Sequence, residues 1–354
     1  MRPATPVGGV SESIDIENPD ALLAYLRQAG RIEWNEQPRI RTLQGGISNR
    51  TVLVQRASGE AWVLKQALAK LRVSVDWYSS PERIHREARG LEWLAKLAPP
   101  GSTTALLFED HEQHLLAMEA VPEPYENWKS ILLAGRIELG HFRQFATLLA
   151  TIHREAYHRR DVLERIFGDR SFFESLRLEP YYVYTSQQAP AAASFLKSLI
   201  EETLSCRTTL VHGDFSPKNI LIHGGRLVLL DHEVIHFGDP AFDLGFSLAH
   251  FLSKAHHLPE LRSDFLAAAS DYWRTYVDSV RHLAWVEKLE ARAVRHTLAC
   301  LLARAAGRSL LEYFGEDERQ RQAKAVLHIV PRPPCQIADL ISAFEERLCL
   351  LSND

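Results

Sequence analysis

The first third of the chain contains short apolar runs, whereas the rest repeats its apolar positions with helical spacing. Runs of four or five residues bounded by turn-forming residues predict five strands, at 40–43, 51–55, 61–65, 105–109 and 114–118. Between the third and fourth runs, apolar positions recur every three or four residues and predict a helix over 81–97. An earlier helix is predicted over 18–30, because Asn18-Pro19 is typical of a helix start and Gly30 of a helix end.

The remainder of the chain is predicted to be mostly helical. Amphipathic spacing indicates helices at 139–157, 246–254, 261–276, 284–307, 317–329 and 336–350. Residues 157–190 break this pattern, since they are polar and aromatic without a clear period. The pattern therefore predicts an α+β chain with a small sheet followed by a larger helical part.

One stretch within the helical part has the pattern of two short strands around a polar loop. The first run, Leu210-Val211, leads into His212-Gly213-Asp214, and the second, Leu227 to Leu230, ends on Asp231. We expect these strands to bring four polar side chains together: Asp214, Asn219, Asp231 and Glu233. Such oxygen ligands suit a hard cation such as Mg²⁺ beside a general base. The alternative is a chance hairpin with surface acids.

Composition excludes several classes of protein. The chain has 354 residues, enough for two domains, and a net charge of -4, which argues against a nucleic-acid-binding surface. No apolar run approaches the roughly 18 residues that span a bilayer, and the first residues lack a secretory layout. The four cysteines are scattered and fit free thiols, so we expect a cytoplasmic protein.

The polar loop carries a resemblance to a known family. His212-Gly213-Asp214, Asn219 five residues later, and Asp231-x-Glu233 after a strand resemble the aminoglycoside phosphotransferase and choline kinase family of small-molecule kinases. The run from Gly238 to Leu244 is similar to that family and to methylthioribose kinases. The resemblance implies a protein-kinase-like bilobal fold, with a nucleotide-binding lobe at 1–120 and a helical catalytic lobe at 121–354.

The resemblance also implies ATP and Mg²⁺ as cofactors and a small hydroxyl-bearing substrate. Asp214 would be the catalytic base, and the metal ligands would be Asn219, Asp231 and Glu233. Lys218 would neutralise charge on the transferred group, although its offset differs from that of the protein-kinase lysine. A metal site of His212, His232 and His236 is rejected, because the metal of ATP takes oxygen ligands, and His212 is expected to orient the loop. Asp243 is expected to be buried and to bond the loop backbone.

In the first lobe, the resemblance assigns residues to nucleotide binding. The turn after the first strand would hold phosphate with Gly45, Gly46, Ser48 and Asn49, although a plain hairpin turn is the commoner interpretation. Lys65 would meet the α- and β-phosphates, oriented by Glu87, with Glu82 and Glu92 as competitors. The chain leaving the last strand would hold adenine through Met118, Glu119 and Ala120.

The substrate is not identified by the sequence. Arg304 would suit an anion or the transferred phosphoryl group, with a surface salt bridge as the alternative. Aromatic residues such as Tyr181 and Tyr182 would suit a cationic amine, although most such aromatic residues simply pack. Acids and arginines balance over 157–190, so we expect a metabolite with a primary or sugar hydroxyl rather than an aminoglycoside. The rival acceptors are an aminoglycoside, methylthioribose, a choline-like amino alcohol, a sugar or homoserine. The alternatives are an aminoglycoside 3'-phosphotransferase-type resistance kinase and a nucleotide-binding pseudokinase or scaffold; a monomer or homodimer is expected.

Overall fold

The computed structural model describes residues 13–43, 46–73 and 76–351. The chain divides into two compact units, one formed by Met1–His85 with Leu106–Ala120 and the other by Arg86–Ala105 with Val121–Asp354. The predicted boundary after residue 120 stays a prediction. Among the residues that the structure describes, every helix is too short or too polar to span a lipid bilayer.

The first unit is built on a five-stranded antiparallel sheet in the order β1-β2-β3-β5-β4. The strands are β1 Arg39–Thr42, β2 Asn49–Gln55, β3 Ala61–Ala67, β4 Leu106–Asp110 and β5 Leu115–Glu119. These match the five predicted strands within two residues at each end. Apolar residues of the central strands, such as Val52, Leu64 and Ala117, pack against the first helix.

That first helix, α1 (Pro19–Gln28), begins as its sequence predicts. The Asn18 side chain accepts hydrogen bonds from the backbone amides of Asp20 and Ala21, and Pro19 occupies the first helical position. Leu22 and Leu26 are buried on the face that packs onto the sheet. Helix α2 (Arg83–Leu97) follows β3 in the chain and confirms the helix predicted over 81–97.

The second unit is mostly helical, which confirms the α+β prediction. Its helices are α3 Trp128–Leu133, α4 Leu139–His158, α5 Arg160–Phe167, α6 Ser171–Phe173, α7 Tyr184–Gln188, α8 Ala193–Ser205, α9 Pro240–His257, α10 Arg262–Val280, α11 Leu289–Ala306, α12 Glu316–Ile329 and α13 Ile337–Leu351. Their apolar faces form a continuous core that includes Phe145, Phe242 and Tyr272. Helix α9 begins at Pro240, where Asp239-Pro240 is typical of a helix start, whereas α11 begins at Leu289, later than the predicted start at residue 284.

Residues 174–183, for which the sequence pattern gave no clear prediction, form a π-helix. Pro180 lies inside it; proline has no N–H to donate, which is incompatible with an uninterrupted α-helical ladder. π-helical segments are rare and often occur at functional sites. This segment carries Arg177, Tyr181 and Tyr182 into the interior of the second unit.

Short strands complete the second unit and hold the polar loop. Strand β7 (Thr209–Val211) pairs with β10 (His236–Gly238), and β8 (Ile220–His223) pairs with both β6 (Tyr125–Asn127) and β9 (Arg226–Leu229). The loop between β7 and β8 therefore has both ends fixed by sheet hydrogen bonds. The segment after β9 leads back to β10 through Asp231 and Glu233.

Candidate active site

Asp214 lies in the loop between β7 and β8 and is held by its neighbour Asn219. The Asn219 side-chain amide donates to Asp214 Oδ2 at 2.7 Å and to the Asp214 backbone carbonyl at 3.0 Å. Both side chains are buried, and Asn219 ends a single 3₁₀ turn that starts at Pro217. The five-residue spacing from Asp214 to Asn219 thus lets the Asn219 amide bond Asp214 within one loop. These bonds fix the orientation of the Asp214 carboxylate.

Arg177 reaches the same carboxylate from the π-helix. Its Nη2 lies 3.0 Å from Asp214 Oδ2, and its Nε donates to the Gly213 carbonyl at 2.8 Å. Burial disfavours its charge, but the nearby carboxylates of Asp214, Glu233 and Asp231 raise the pKa of Arg177 above its usual value. In the sequence, Arg177 is one of several balanced charges of the 157–190 segment, and nothing near it in the chain indicates a partner in the polar loop.

Asp243 clamps the start of the loop from helix α9. Its two carboxylate oxygens accept hydrogen bonds from the backbone amides of His212, at 2.7 Å, and Gly213, at 2.8 Å. His153 Nε2 lies 3.2 Å from Oδ2. Burial works against the charge of Asp243, yet these donors hold its pKa below the usual value. The expectation of a buried aspartate that bonds the loop backbone is confirmed.

Gly213 is required where the loop turns. Its φ is +78°, a left-handed conformation that glycine adopts without strain, and an added Cβ would lie 2.9 Å from Val234 Cγ2. Two histidines beside it bond to each other, since His212 Nε2 and His232 Nδ1 are 3.1 Å apart. Burial lowers the pKa of His236 to about 4, and that of His212 is also lowered. These contacts suit packing residues.

Three carboxylates converge next to the loop: Glu87 of α2, Asp231 and Glu233. Oxygen atoms of all three lie within 4.8 Å of one another. Glu87 is fully buried and Glu233 nearly so. An all-oxygen, strongly negative donor set of this kind fits a hard divalent cation. The family resemblance assigns Glu87 to Lys65, and that pairing stays a prediction.

A close backbone approach brings Glu87 to this cluster. Gly90 lies one turn after Glu87 on α2, and an added Cβ there would be 2.9 Å from His232 Cβ. Asp231 itself has a φ of +67°, an uncommon conformation for a residue with a side chain. Backbone conformations of this kind persist where the surrounding structure imposes them, often at functional sites.

In the first unit, Ser48, Asn49 and Lys65 are buried, whereas Gly46 is exposed. Gly45 lies outside the described residues. Asn49 Nδ2 donates to Ser48 Oγ at 3.3 Å, and the Ser48 carbonyl accepts from the amide of Leu68 and from the buried guanidinium of Arg83. Arg83, which the sequence analysis did not single out, therefore fixes the end of the predicted phosphate turn.

The predicted adenine-binding residues end strand β5. Met118 pairs with Val63 and is buried, and Glu119 pairs with Trp62 and is exposed. The Ala120 amide donates to the Ala61 carbonyl at 2.9 Å. Because this amide is bonded within the sheet, the carbonyl of Ala120 is the backbone group that remains to bond adenine.

Two of the remaining predicted residues, Arg304 and Tyr181, lie in what we call the Arg304 cluster, together with His250, Ser309 and Phe246. The Arg304 guanidinium donates to the Ser309 carbonyl at 2.9 Å and lies 3.1 Å from His250 Nε2. It also lies over the rings of Tyr181 and Phe246. Among the described residues, no carboxylate lies within salt-bridge distance of Arg304, so its charge is not neutralised by an ion pair.

Further basic side chains lie in and around this cluster. Lys254 is fully buried one turn after His250 on α9, and burial together with nearby Lys129 lowers its pKa to about 7. Burial and the neighbouring cations also lower the pKa of His250 well below its usual value. Lys218 is exposed on the 3₁₀ turn. Tyr182 is different: it is fully buried and its hydroxyl bonds His296 Nδ1 at 2.7 Å, which gives it a packing role.

Comparison with known proteins identifies the family. The model of the phosphotransferase enzyme family matches residues 39–278, about two thirds of the chain. The chain belongs to this family. The matched region includes the polar loop, the carboxylate cluster and Asp243.

Relatives and solved structures agree with this assignment. Methylthioribose kinase of Pectobacterium atrosepticum is 24% identical over 307 residues, which cover 76% of this chain and 75% of that protein. The enzyme of the same name from Pectobacterium carotovorum is 23% identical over 290 residues, covering 72% of each. An amicoumacin kinase solved with AMP-PNP, Ca²⁺ and Ami is 14% identical, with a TM-score of 0.56 over 90% of this chain and 96% of that one.

Two conclusions follow. The fold is that of the protein-kinase-like small-molecule kinases, as the sequence resemblance implied. The protein is a small-molecule kinase that transfers phosphate from ATP to a small metabolite and uses a divalent metal.

Proposed function

We propose that the divalent metal is Mg²⁺ and that Glu87, Asp231 and Glu233 hold it, with Asn219 Oδ1 as a further ligand. The supporting observation is the convergence of the three carboxylates within 4.8 Å. Asn219 uses its amide nitrogen on Asp214, which leaves its carbonyl oxygen for the cation. When bound, Mg²⁺ neutralises charge on the phosphates of ATP.

The observation that carries the proposed reaction is the way Asp214 is held. Oδ2 is engaged by both Asn219 and Arg177, whereas Oδ1 has no partner among the described residues. Oδ1 is thus the atom that would accept the proton of the substrate hydroxyl. The hydroxyl oxygen then bonds the γ-phosphorus of ATP, the bond to the β-phosphate oxygen breaks, and ADP leaves.

Nucleotide binding would use the residues that the sequence predicted in the first unit. Lys65 would contact the α- and β-phosphates, and the Gly45-Gly46 turn with Ser48 and Asn49 would cover them. Met118 would pack against adenine, while Glu119 and the Ala120 carbonyl would bond it. Buried Arg83 supports this role by fixing the Ser48 carbonyl. Lys218, exposed beside the loop, would neutralise charge on the transferred group.

The charge around Arg304 limits which substrates could accept the phosphate. The Tyr181 ring already lies beside two guanidinium groups, with Arg304 4.9 Å and Arg177 6.0 Å from its centre. A ring occupied in this way is a poor partner for a substrate cation, and the buried Arg304 guanidinium would repel one. We therefore propose a hydroxyl acceptor that is uncharged or anionic, with Arg304 and Tyr181 in its site, and we leave Tyr182 out of that site.

The relatives suggest a first candidate. Methylthioribose, the compound in the names of the two Pectobacterium relatives, is an uncharged sugar with several hydroxyls and fits this description. An aminoglycoside or a choline-like amino alcohol carries positive charge and does not. A non-catalytic scaffold would need neither the fixed Asp214 nor the carboxylate cluster.

An acceptor screen tests the proposal. The chain is incubated with ATP, Mg²⁺ and methylthioribose, homoserine, choline or kanamycin, and products are read by mass spectrometry. We expect a phosphorylated sugar or other non-cationic alcohol, formed by wild type and lost in Asp214→Asn. Turnover of kanamycin or choline alone would contradict the acceptor class. Equal turnover by Asp214→Asn would contradict the assigned base.

A further inference from the structure

A second group of metal-binding side chains lies in the first unit, apart from the carboxylates described above. It contains Glu82 in the turn before α2, His85 in the first turn of that helix, and His111 in the turn between β4 and β5. One ligand atom from each lies within 4.8 Å of the others. The His85 and His111 rings stack with centres 3.8 Å apart. Neither histidine took part in any predicted role.

His85 has the arrangement of a metal-binding histidine. Its Nδ1 lies 2.8 Å from Glu109 Oε2, whereas its Nε2 is buried and has no hydrogen-bond partner. The side chain is only 8% exposed, so this nitrogen is also screened from water. Metal-binding histidines usually bond a carboxylate with one ring nitrogen and the metal with the other. An unbonded buried nitrogen otherwise carries a desolvation cost.

The other two ligands are on the surface and can adjust to an ion. Glu82 and His111 are both exposed, and His111 would turn out of its stack on His85 to bind an ion, because a metal lies in the plane of an imidazole ring. His114 Nδ1 lies 3.4 Å from Glu82 Oε1, and His111 Nε2 lies 3.4 Å from Glu109 Oε1. The turn that carries His111 is fixed by Asp110, whose side chain accepts from the amides of Glu112 and Gln113. Tyr25 holds the second oxygen of Asp110 at 2.7 Å. A rigid histidine thus faces two adaptable ligands.

We propose that Glu82, His85 and His111 form a zinc site, with Glu109 orienting His85. Imidazole and carboxylate are ligands typical of Zn²⁺, whereas Mg²⁺ takes oxygen ligands. Water would complete a four-coordinate ion at the surface. The site would tie the start of α2 to the β4–β5 turn, and it is separate in both residues and ligand chemistry from the proposed Mg²⁺ site.

Isothermal titration of the tag-free chain with ZnCl₂, in excess Mg²⁺ and AMP-PNP, tests this site. We expect one zinc ion per wild-type chain, and loss of that binding in His111→Ala and in Glu82→Gln. Glu109→Gln should weaken binding about 10- to 100-fold, the usual cost of losing a carboxylate behind a histidine ligand. The matched controls are Glu112→Gln, on the same turn, and His282→Ala, an exposed histidine elsewhere.

Co²⁺ provides a second readout that does not depend on affinity alone. Its visible absorption in wild type should show nitrogen and oxygen ligands and should change in His85→Gln and His111→Ala. Wild type that binds no zinc under these conditions would overturn the proposal. Unchanged zinc affinity in both His111→Ala and Glu82→Gln would overturn it as well, because each substitution removes a proposed ligand.

Discussion

The segment that holds the proposed base, residues 209–243 (called the catalytic segment below), and the Arg304 cluster are both polar and buried, but they are built in different ways. In the catalytic segment, Asn219 bonds Asp214 five residues away, between strands that are close in sequence. In the Arg304 cluster, Arg304 meets His250 and Tyr181, which lie 54 and 123 residues earlier in the chain. The first arrangement is largely encoded by local spacing, and the second is created only by helix packing.

The difference also concerns charge. The catalytic segment gathers carboxylates, with Arg177 as their buried counter-charge. The Arg304 cluster contains a buried guanidinium, and no carboxylate among the described residues pairs with it. One region thus suits a metal–phosphate complex, and the other suits an acceptor without positive charge. The following substitutions break one region or the other.

Asp214→Asn should produce the largest effect. Removing the carboxylate removes the proton acceptor, so kcat should fall by roughly 10² to 10⁴ while nucleotide affinity stays near that of wild type. Steady-state kinetics with the acceptor from the screen measures kcat, and calorimetry with AMP-PNP measures affinity. Near-normal turnover would rule out Asp214 as the base.

Arg177→Met should destabilise the catalytic segment, although Arg177 itself lies outside residues 209–243. Because Arg177 and Asp214 form a buried ion pair, removing one partner should cost about 3–5 kcal/mol in the free energy of unfolding. Urea unfolding followed by circular dichroism measures this change. The control is the same substitution in an Asp214→Asn background, where the uncompensated charge is gone and the loss should be clearly smaller. Equal losses in both backgrounds would mean that the pair is not coupled.

Asp243→Asn should weaken the loop by a smaller amount. One carboxylate oxygen would be replaced by an amide that cannot accept a backbone hydrogen bond, at a cost of about 1–3 kcal/mol. The pKa of Asp243 is lowered in the folded state, so its contribution is present above the ordinary 3.8 and is lost as pH falls through the lower folded value. The difference between wild type and variant should therefore shrink under strongly acidic conditions. A difference that grows on acidification would contradict this account.

Lys254→Met should change how stability depends on pH. The folded pKa of Lys254 is about 7 against an ordinary 10.5. At a pH between these two pKa values, the Lys254 amine is protonated in the unfolded chain but not in the folded chain. The free energy of unfolding therefore rises with pH, by at most about 1.4 kcal/mol per pH unit. Unfolding measured from about pH 7 to about pH 9 should show this rise in wild type and in the exposed control Lys218→Met. It should be absent in Lys254→Met; an unchanged slope there would show that Lys254 is not the source.

Much of the fold could be predicted because its elements have clear local patterns. Strand lengths, the Asn18-Pro19 helix start and the helical spacing of the second unit all depend on neighbouring residues. The loop with Asp214 and Asn219 was predictable for the same reason. The π-helix was not, since Pro180 disturbs the period that a sequence pattern relies on.

The side-chain contacts that the sequence did not predict join distant segments. Glu87 reaches Asp231 and Glu233 because Gly90 allows α2 to approach His232, and a lone glycine in a helical pattern does not reveal this. Arg177 was one of several arginines in a charge-balanced stretch, and only the fold selects it as the partner of Asp214. Tyr182, next to Tyr181, turned out to pack on His296, because adjacent residues on a helix face different directions.

The division of tasks between the two regions is the central claim, and nucleotide affinity tests it most directly. Calorimetry with AMP-PNP, with and without Mg²⁺, is run on wild type, Asp231→Ala and Arg304→Gln. We predict that Asp231→Ala loses the Mg²⁺-dependent part of the affinity, whereas Arg304→Gln binds nucleotide as wild type does and instead shows a raised KM for the acceptor. Equal Mg²⁺-dependent affinity in wild type and Asp231→Ala would contradict the account.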